Sequence, residues 1–125
     1  MKPFQTFFTE SKSGWIGVDL DSTLAYYSTW RGYSRIGKPI PAMVEKVKQA
    51  LEAGKDVRIF TARADNGKAV VAIKKWCKKH LGVELPVTNV KDKHCKEIWD
   101  DRAKQVVKNK GEFINGSIET DTSDS

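Results

Sequence analysis

Two carboxylates one residue apart, Asp19 and Asp21, directly follow the apolar run 15–18 of this 125-residue chain. Like charges this close raise each other's pKa unless a cation or strong hydrogen-bond donors keep them ionised. A plain turn, in which Asp21 and Ser22 cap the backbone, is the simpler interpretation. Because such a turn leaves Asp19 without a role, the pattern favours a metal site or a phosphoryl-transfer site.

The surrounding pattern predicts a strand over about residues 15–19, which carries these carboxylates at its carboxyl end. Residues 22–39 show no regular period but contain three tyrosines and a tryptophan, which predicts a folded flap beside Asp19 rather than a disordered segment. The other predicted elements are a helix from Pro41 to a cap at Gly54, a strand over 56–61, a helix over 67–81, and strands over 86–90, 98–99 and 105–107.

Strands that alternate with helices predict an α/β fold, with a three-layer Rossmann-like arrangement of a mainly parallel sheet and helices on both faces. Residues 1–114 are expected to form one domain. Residues 115–125, rich in Ser, Thr, Asp and Glu, are expected to be a disordered acidic tail.

In a parallel sheet, ligands bind beyond the carboxyl ends of the strands. The residues predicted at those ends are Asp19, Asp21, Thr61, the segment 89–91, Asp100 and Asp101. Acidic clusters suit a hard divalent cation, above all Mg²⁺. A lysine and a hydroxyl beside that cluster would complete the groups that a phosphoryl group needs, with one carboxylate as nucleophile.

Three segments are similar in order and spacing to the motifs of the haloacid dehalogenase-like phosphohydrolase superfamily. Residues 18–24 carry Asp-x-Asp-x-Thr after a strand, residues 57–61 are an apolar strand ending in Thr, and residues 98–102 contain the paired acids. In relatives, cap domains follow the first motif or lie between the second and third. Since the corresponding stretches here, 24–42 and 62–86, are short, we expect no cap domain.

The resemblance implies that Asp19 is the nucleophile and that Asp21 is the general acid and base. It further implies that Asp19, the backbone carbonyl of Asp21, Asp100 and Asp101 hold Mg²⁺. Thr61 and a lysine would contact the phosphoryl oxygens. An acid at the Asp21 position goes with phosphatases and phosphomutases in this superfamily, and the missing cap favours a phosphatase.

Lys91 is the preferred candidate for this lysine over Lys93, because it directly follows a predicted strand. The predicted substrate-binding residues are Ser22, Thr23 and Arg63. For Arg63, a salt bridge with Asp65 is an equally good interpretation. Ser22 stands where many relatives carry Gly.

The net charge is +6, and the tail carries three acidic residues and no basic one, so the rest of the chain carries +9. This favours anionic partners, such as a phosphorylated small molecule, a nucleotide or the phosphate end of a nucleic acid. The basic helix 67–81 could contact nucleic acid, although a solvated helix face is the commoner origin of such a pattern. The flap aromatics either stack on a base or pack on the core.

No apolar run approaches the length of a membrane span, and the first eight residues do not resemble a secretory signal. Cys77 and Cys95 are therefore expected to be reduced thiols in a cytoplasmic protein. The oligomeric state stays open. Two other functions also stay open: a binding module for nucleic acid or anions that has lost turnover, and a phosphotransferase.

Overall fold

The structure is a computed structural model that describes residues 14–114. The elements are β1 (Trp15–Val18), α1 (Pro41–Glu52), β2 (Asp56–Phe60), a 3-10 turn (Ala62–Asp65), α2 (Gly67–Leu81), β3 (Val87–Thr88) and β4 (Cys95–Trp99). The strands form one parallel sheet in the order β3-β2-β1-β4. This confirms the predicted small α/β fold, with no cap domain within residues 14–114. The predicted disordered tail and the amino-terminal residues 1–13 lie outside the described residues.

Local signals in the sequence explain where the helices begin and end. α1 begins at Pro41. Proline lacks a backbone N–H, but N–H groups in the first turn have no partner within the helix, so no helix hydrogen bond is lost there. Gly54 adopts a φ of 81° just after the helix. The side chain of Asn66 accepts a hydrogen bond from the Ala69 N–H at 3.0 Å and so caps α2. Gly82, with a φ of 89°, ends α2 in a left-handed conformation.

Both helices pack on the same face of the sheet, which differs from the predicted helices on both faces. The shared core contains Ile16, Val18, Val47, Val57, Ile59, Ile73 and Cys77. The reason lies in the connections. The right-handed crossovers β1-α1-β2 and β2-α2-β3 advance in the same direction across the sheet, and residues 89–94, between β3 and β4, contain no helix.

On the opposite face of the sheet, aromatic and cationic side chains pack against each other. The guanidinium of Arg58 lies 4.7 Å from the centroid of the Trp15 ring, and that ring lies 6.2 Å from the ring of Phe60. A side chain at Gly17 would come within 3.0–3.2 Å of Trp15, Phe60 and Ile98. Glycine at this position therefore allows the aromatic layer to pack closely on β1.

The flap, residues 22–39, is folded as predicted and closes on itself at its base. The Tyr26 N–H donates to the carbonyl of Lys38 at 2.8 Å, and the Ile40 N–H donates to the carbonyl of Leu24 at 2.8 Å. The indole N–H of Trp76 donates to the carbonyl of Gly37 at 2.9 Å, which ties the flap to α2. The flap is thus anchored at both ends and along one side.

The flap aromatics Tyr26, Tyr27, Trp30 and Tyr33 are 43–59% exposed. About half of each side chain is therefore open to solvent, and both predicted roles, stacking on a base and packing on the core, stay predictions. Trp30 and Tyr33 contact each other edge to face, with ring centroids 5.0 Å apart. They form an exposed aromatic surface above the core.

The carboxyl-terminal strands differ in length from their predictions. β4 begins at Cys95 rather than at Ile98, while β3 has only two residues. The predicted strand over 105–107 is not formed, and Val106 makes a single antiparallel bridge with Phe113. The side chain of Val106 is 52% exposed, so little apolar burial is available to stabilise a strand there.

Candidate active site

Three carboxylates meet at the carboxyl ends of the neighbouring strands β1 and β4. Asp19 follows β1, and its N–H donates to the carbonyl of Trp99, the last residue of β4, at 2.9 Å. Oxygen atoms of Asp19, Asp100 and Asp101 all lie within 4.8 Å of one another. Such a set of hard oxygen donors fits a divalent cation such as Mg²⁺.

Two hydroxyl groups hold these carboxylates in place. The Thr23 hydroxyl lies 3.1 Å from an oxygen of Asp19 and 3.2 Å from an oxygen of Asp101, and it accepts a hydrogen bond from the Asp101 N–H at 3.1 Å. The Ser22 hydroxyl donates to the other oxygen of Asp101 at 3.0 Å. The Arg102 N–H donates to Asp100 at 2.8 Å. Ser22 and Thr23, predicted to bind substrate, thus contact carboxylates of the cluster.

Ser22 adopts a φ of 68°, in the left-handed region. This conformation costs a non-glycine residue about 1–2 kcal/mol. The strained turn brings the Ser22 hydroxyl to Asp101 and also to the carbonyl of Asp21, 2.5 Å away.

The environment of Asp19 disfavours its charged form. Burial, followed by the nearby charge of Asp100, raises the pKa of Asp19 to about 6, although the hydrogen bond from Thr23 acts in the opposite direction. Asp101 and Asp21 add smaller repulsive contributions. A cation bound among these carboxylates would relieve the repulsion.

The side chain of Asp21 is not one of the clustered carboxylates and pairs with Arg63. Two guanidinium N–H groups donate to the two oxygens of Asp21, each at 2.9 Å. The third guanidinium nitrogen donates to the flap carbonyls of Gly32 and Tyr33, at 3.0 and 2.7 Å. The guanidinium also lies 4.8 Å from the centroid of the Trp30 ring. Arg63 is buried and connects Asp21 with the flap.

The salt bridge that the sequence suggested between Arg63 and Asp65 is not formed. The arginine instead pairs with a residue 42 positions earlier in the chain. This partner lies across the gap between the ends of β1 and β2, which are neighbours only in the folded sheet. The role of Arg63 in substrate binding stays a prediction.

Thr61 lies where its motif predicts, at the carboxyl end of β2 beside β1. Its N–H donates to the carbonyl of Thr88 at 2.9 Å, and its hydroxyl accepts a hydrogen bond from the Arg63 N–H at 3.2 Å. The residue is 6% exposed. The hydroxyl thus caps the 3-10 turn that carries Arg63.

The structure does not bring Lys91 or Lys93 to the carboxylates. Asp92 accepts a hydrogen bond from the indole N–H of Trp15 at 2.9 Å, and the carbonyl of His94 accepts one from the Trp15 N–H at 2.9 Å. Both contacts lie at the amino end of β1, opposite to the end that carries Asp19. Only six residues connect the carboxyl end of β3 with the amino end of β4. The segment therefore runs directly from the carboxyl edge of the sheet to its amino edge.

A different lysine, Lys46 on α1, lies beside the cluster. It lines an open, mostly apolar cavity of about 550 Å³ together with Met43, Trp99, Asp100 and Asp101. The sequence shows Lys46 only as one of several helix lysines, three residues after Met43. The spacing places both on one side of α1, but nothing in it indicates that this side faces β4.

The basic helix α2 presents Lys75, Lys78 and Lys79 to solvent. None of them forms a salt bridge within residues 14–114. Lys78 and Lys79 lie in the last turn, where the helix dipole favours positive charge. Both predicted roles, a nucleic-acid surface and a solvated helix face, are compatible with this arrangement. No helix within residues 14–114 is long and apolar enough to cross a membrane.

No family model matches the chain, and no curated protein matches it. The chain is similar to a solved structure of a conserved protein coded by a locus from Bacteroides thetaiotaomicron. The two are 23% identical, the TM-score is 0.55, and the match covers 88% of this chain and 92% of the other. At this identity the similarity supports the fold alone.

Proposed function

We propose that this chain is a small capless member of the haloacid dehalogenase-like superfamily, a Mg²⁺-dependent phosphatase that hydrolyses a phosphomonoester through an aspartyl-phosphate. One observation carries the proposal: the carboxylates of Asp19, Asp100 and Asp101, which come from the first and last motifs, lie within 4.8 Å of one another. Asp100 and Asp101 lie 81 and 82 positions after Asp19 in the sequence.

In the proposed reaction, an oxygen of Asp19 forms a bond to phosphorus while the bond to the ester oxygen breaks. The leaving alkoxide takes a proton from Asp21. Water then attacks phosphorus and gives a proton to Asp21, and the release of inorganic phosphate restores Asp19. Mg²⁺ held by Asp19, Asp100, Asp101 and the Asp21 carbonyl would neutralise charge on the phosphoryl oxygens.

The proton-transfer role of Asp21 requires its ion pair with Arg63 to open, since both carboxylate oxygens accept hydrogen bonds from the guanidinium. The same guanidinium binds two flap carbonyls. We therefore expect flap movement and the availability of Asp21 to be linked. A substrate phosphate that attracts Arg63 would free Asp21 for proton transfer.

A second candidate function, a binding module with weak or no turnover, is favoured by the same ion pair. An Asp21 that stays paired with Arg63 cannot supply protons, while the exposed lysines of α2 remain able to contact a nucleic-acid backbone. A phosphotransferase would use the same covalent step but pass the phosphoryl group to an alcohol. The expected substrates are a phosphorylated small molecule, a nucleotide or a nucleic-acid phosphate end, in the cytoplasm.

The test is phosphate release from a panel of aryl, nucleoside and sugar phosphates and 5′-phosphorylated oligonucleotides, with Mg²⁺ and with a chelator. Asp19→Asn should lower the rate by at least about 1,000-fold, because it removes the nucleophile. Asp65→Asn, an exposed acid outside the cluster, is the matched control and should retain the wild-type rate. Full activity in Asp19→Asn would overturn the covalent mechanism. Salt-sensitive oligonucleotide binding without any phosphate release would favour the binding module.

A further inference from the structure

The cavity between α1 and the end of β4 has a mostly apolar lining. Met43 and Trp99 form an apolar wall, and Asp100 and Asp101 are among the other residues that line it. Its volume of about 550 Å³ is within the range of small-molecule sites. Because Asp100 and Asp101 also belong to the carboxylate cluster, a ligand with its phosphoryl group at Asp19 would extend into this cavity.

Lys46 is the basic residue among those that line this cavity. It forms no salt bridge within the part of the chain that the structure describes, where the ion pairs are those of Arg58 and Arg63. Its flexible side chain starts from an exposed position on α1, three residues from Met43. The neighbours of Lys91 and Lys93 contact the amino end of β1, whereas Lys46 lines the same cavity as Asp100 and Asp101.

The apolar wall gives the cavity a preference for flat rings. Trp99 belongs to β4 at the position that pairs with the buried Val18, so its ring lies on the helix face of the sheet beside Met43. Its indole N–H donates to Glu97 at 3.0 Å, which restrains the ring. A tryptophan face and a methionine thioether are well suited to an aromatic ring and poorly suited to the hydroxyls of a sugar.

We propose that Lys46 binds the phosphoryl group of the substrate and that the wall of Met43 and Trp99 binds an aromatic ring in the organic part of the same substrate. The substrate class is thus a phosphomonoester with an aromatic ring, such as an aryl or nucleoside phosphate, rather than a sugar phosphate. This inference rests on the proposed phosphatase function and names the substrate class for that site.

The test measures binding by calorimetry with Mg²⁺ present, using the non-hydrolysable probes phenylphosphonate and methylphosphonate. The wild type should bind phenylphosphonate at least about fivefold more tightly, since only this probe contacts the apolar wall. Lys46→Gln should weaken both probes about tenfold, because a charge-assisted contact to the phosphonate is lost. Lys48→Gln, an exposed lysine on the same helix, is the matched control and should bind like the wild type. Trp99→Leu should lose only the preference for the phenyl group.

Equal binding of the probes by the wild type, or equal binding by Lys46→Gln and Lys48→Gln, would overturn the inference. Binding is measured separately from turnover, so failure of the proposed function has its own signature. If the wild type binds phenylphosphonate as expected but releases no phosphate from phenyl phosphate, the site assignment stands and the phosphatase proposal is wrong. If phosphate is released but Lys46→Gln keeps wild-type affinity, the phosphatase proposal stands and the assignment of Lys46 is wrong.

Discussion

At the scale of single residues, Asp19 combines two properties that are rarely found in an exposed turn. It is half-buried, and it faces a second carboxylate, Asp100, across the ends of two strands. Burial and that neighbour raise its pKa to about 6. The Thr23 hydroxyl, 3.1 Å away, compensates only in part. The site therefore carries an electrostatic cost that the fold must tolerate when no cation is bound.

We expect this cost to depend on pH in the metal-free protein. The pKa of Asp19 in the folded protein, about 6, lies above the value near 3.9 of an unfolded Asp, so the folded state binds the proton more tightly. Stability should fall as the pH rises through this window and stay reduced above it. Asp19→Asn should therefore be more stable than the wild type by about 1–2 kcal/mol at pH 7.5, after allowing for solvent screening.

Urea unfolding in the presence of a chelator, at pH 4 and pH 7.5, measures this difference. The quantity of interest is the free energy of unfolding of Asp19→Asn minus that of the wild type at each pH. Asp65→Asn serves as the control, and its difference should stay constant between the two pH values. A difference for Asp19→Asn that does not grow with pH would show that Asp19 is not strained in this way.

At the scale of elements, Arg63 joins the end of β1, the 3-10 turn and the flap. We expect Arg63→Lys to lower the free energy of unfolding by about 2–3 kcal/mol, because a lysine keeps the charge but cannot bind both oxygens of Asp21 and two carbonyls at once. Amide hydrogen exchange across residues 25–38 should become faster. Arg58→Lys changes the ion pair with Asp56 on the opposite face and should leave exchange in the flap unchanged. Unchanged hydrogen exchange in the flap of Arg63→Lys would show that the contacts of Arg63 with the flap carbonyls do not hold the flap in place.

The flap also depends on close packing at Gly37. A Cβ atom there would lie 2.0 Å from the carbonyl oxygen of Tyr26, which cannot move without breaking the base of the flap. Gly37→Ala should therefore lower the free energy of unfolding by about 2–3 kcal/mol. Gly67→Ala is the control: apart from its chain neighbours and the backbone of its own helix, no atom lies within 4 Å of the added methyl group, so this variant should match or slightly exceed the wild type. Similar melting temperatures for the two variants would contradict this account.

At the scale of the whole molecule, the order of the strands determines where the cavity forms. β4 lies at the edge of the sheet beside β1. α1 connects β1 to β2, which is the neighbour of β1 on the side away from β4. No helix or strand follows β4 within the described residues, so space remains between α1 and Trp99. The cavity with Lys46 is thus a consequence of topology, and it would be filled if another helix packed over β4.

Much of the fold could be predicted because its signals are local. The apolar run before Asp19, Pro41 at the start of α1, Asn66 before α2 and Gly82 after it each act within a few residues, through burial, backbone conformation or capping. The position of the carboxylates followed from one further rule, that parallel strands end at the same edge. The strand predicted over 105–107 failed because its short apolar segment has little core to pack against.

The sequence by itself determined the parallel α/β architecture and the carboxylates at one edge, since period and strand direction depend on residue types along the chain. Only the tertiary structure decided that Asp21 pairs with Arg63 and that Lys46, not Lys91, lies beside Asp100 and Asp101. These contacts join residues that are distant in the chain, and they depend on which helix face turns toward which strand. Contacts between side chains that are distant in the chain leave no local sequence pattern. The partners of the charged groups can therefore be identified only in the folded molecule.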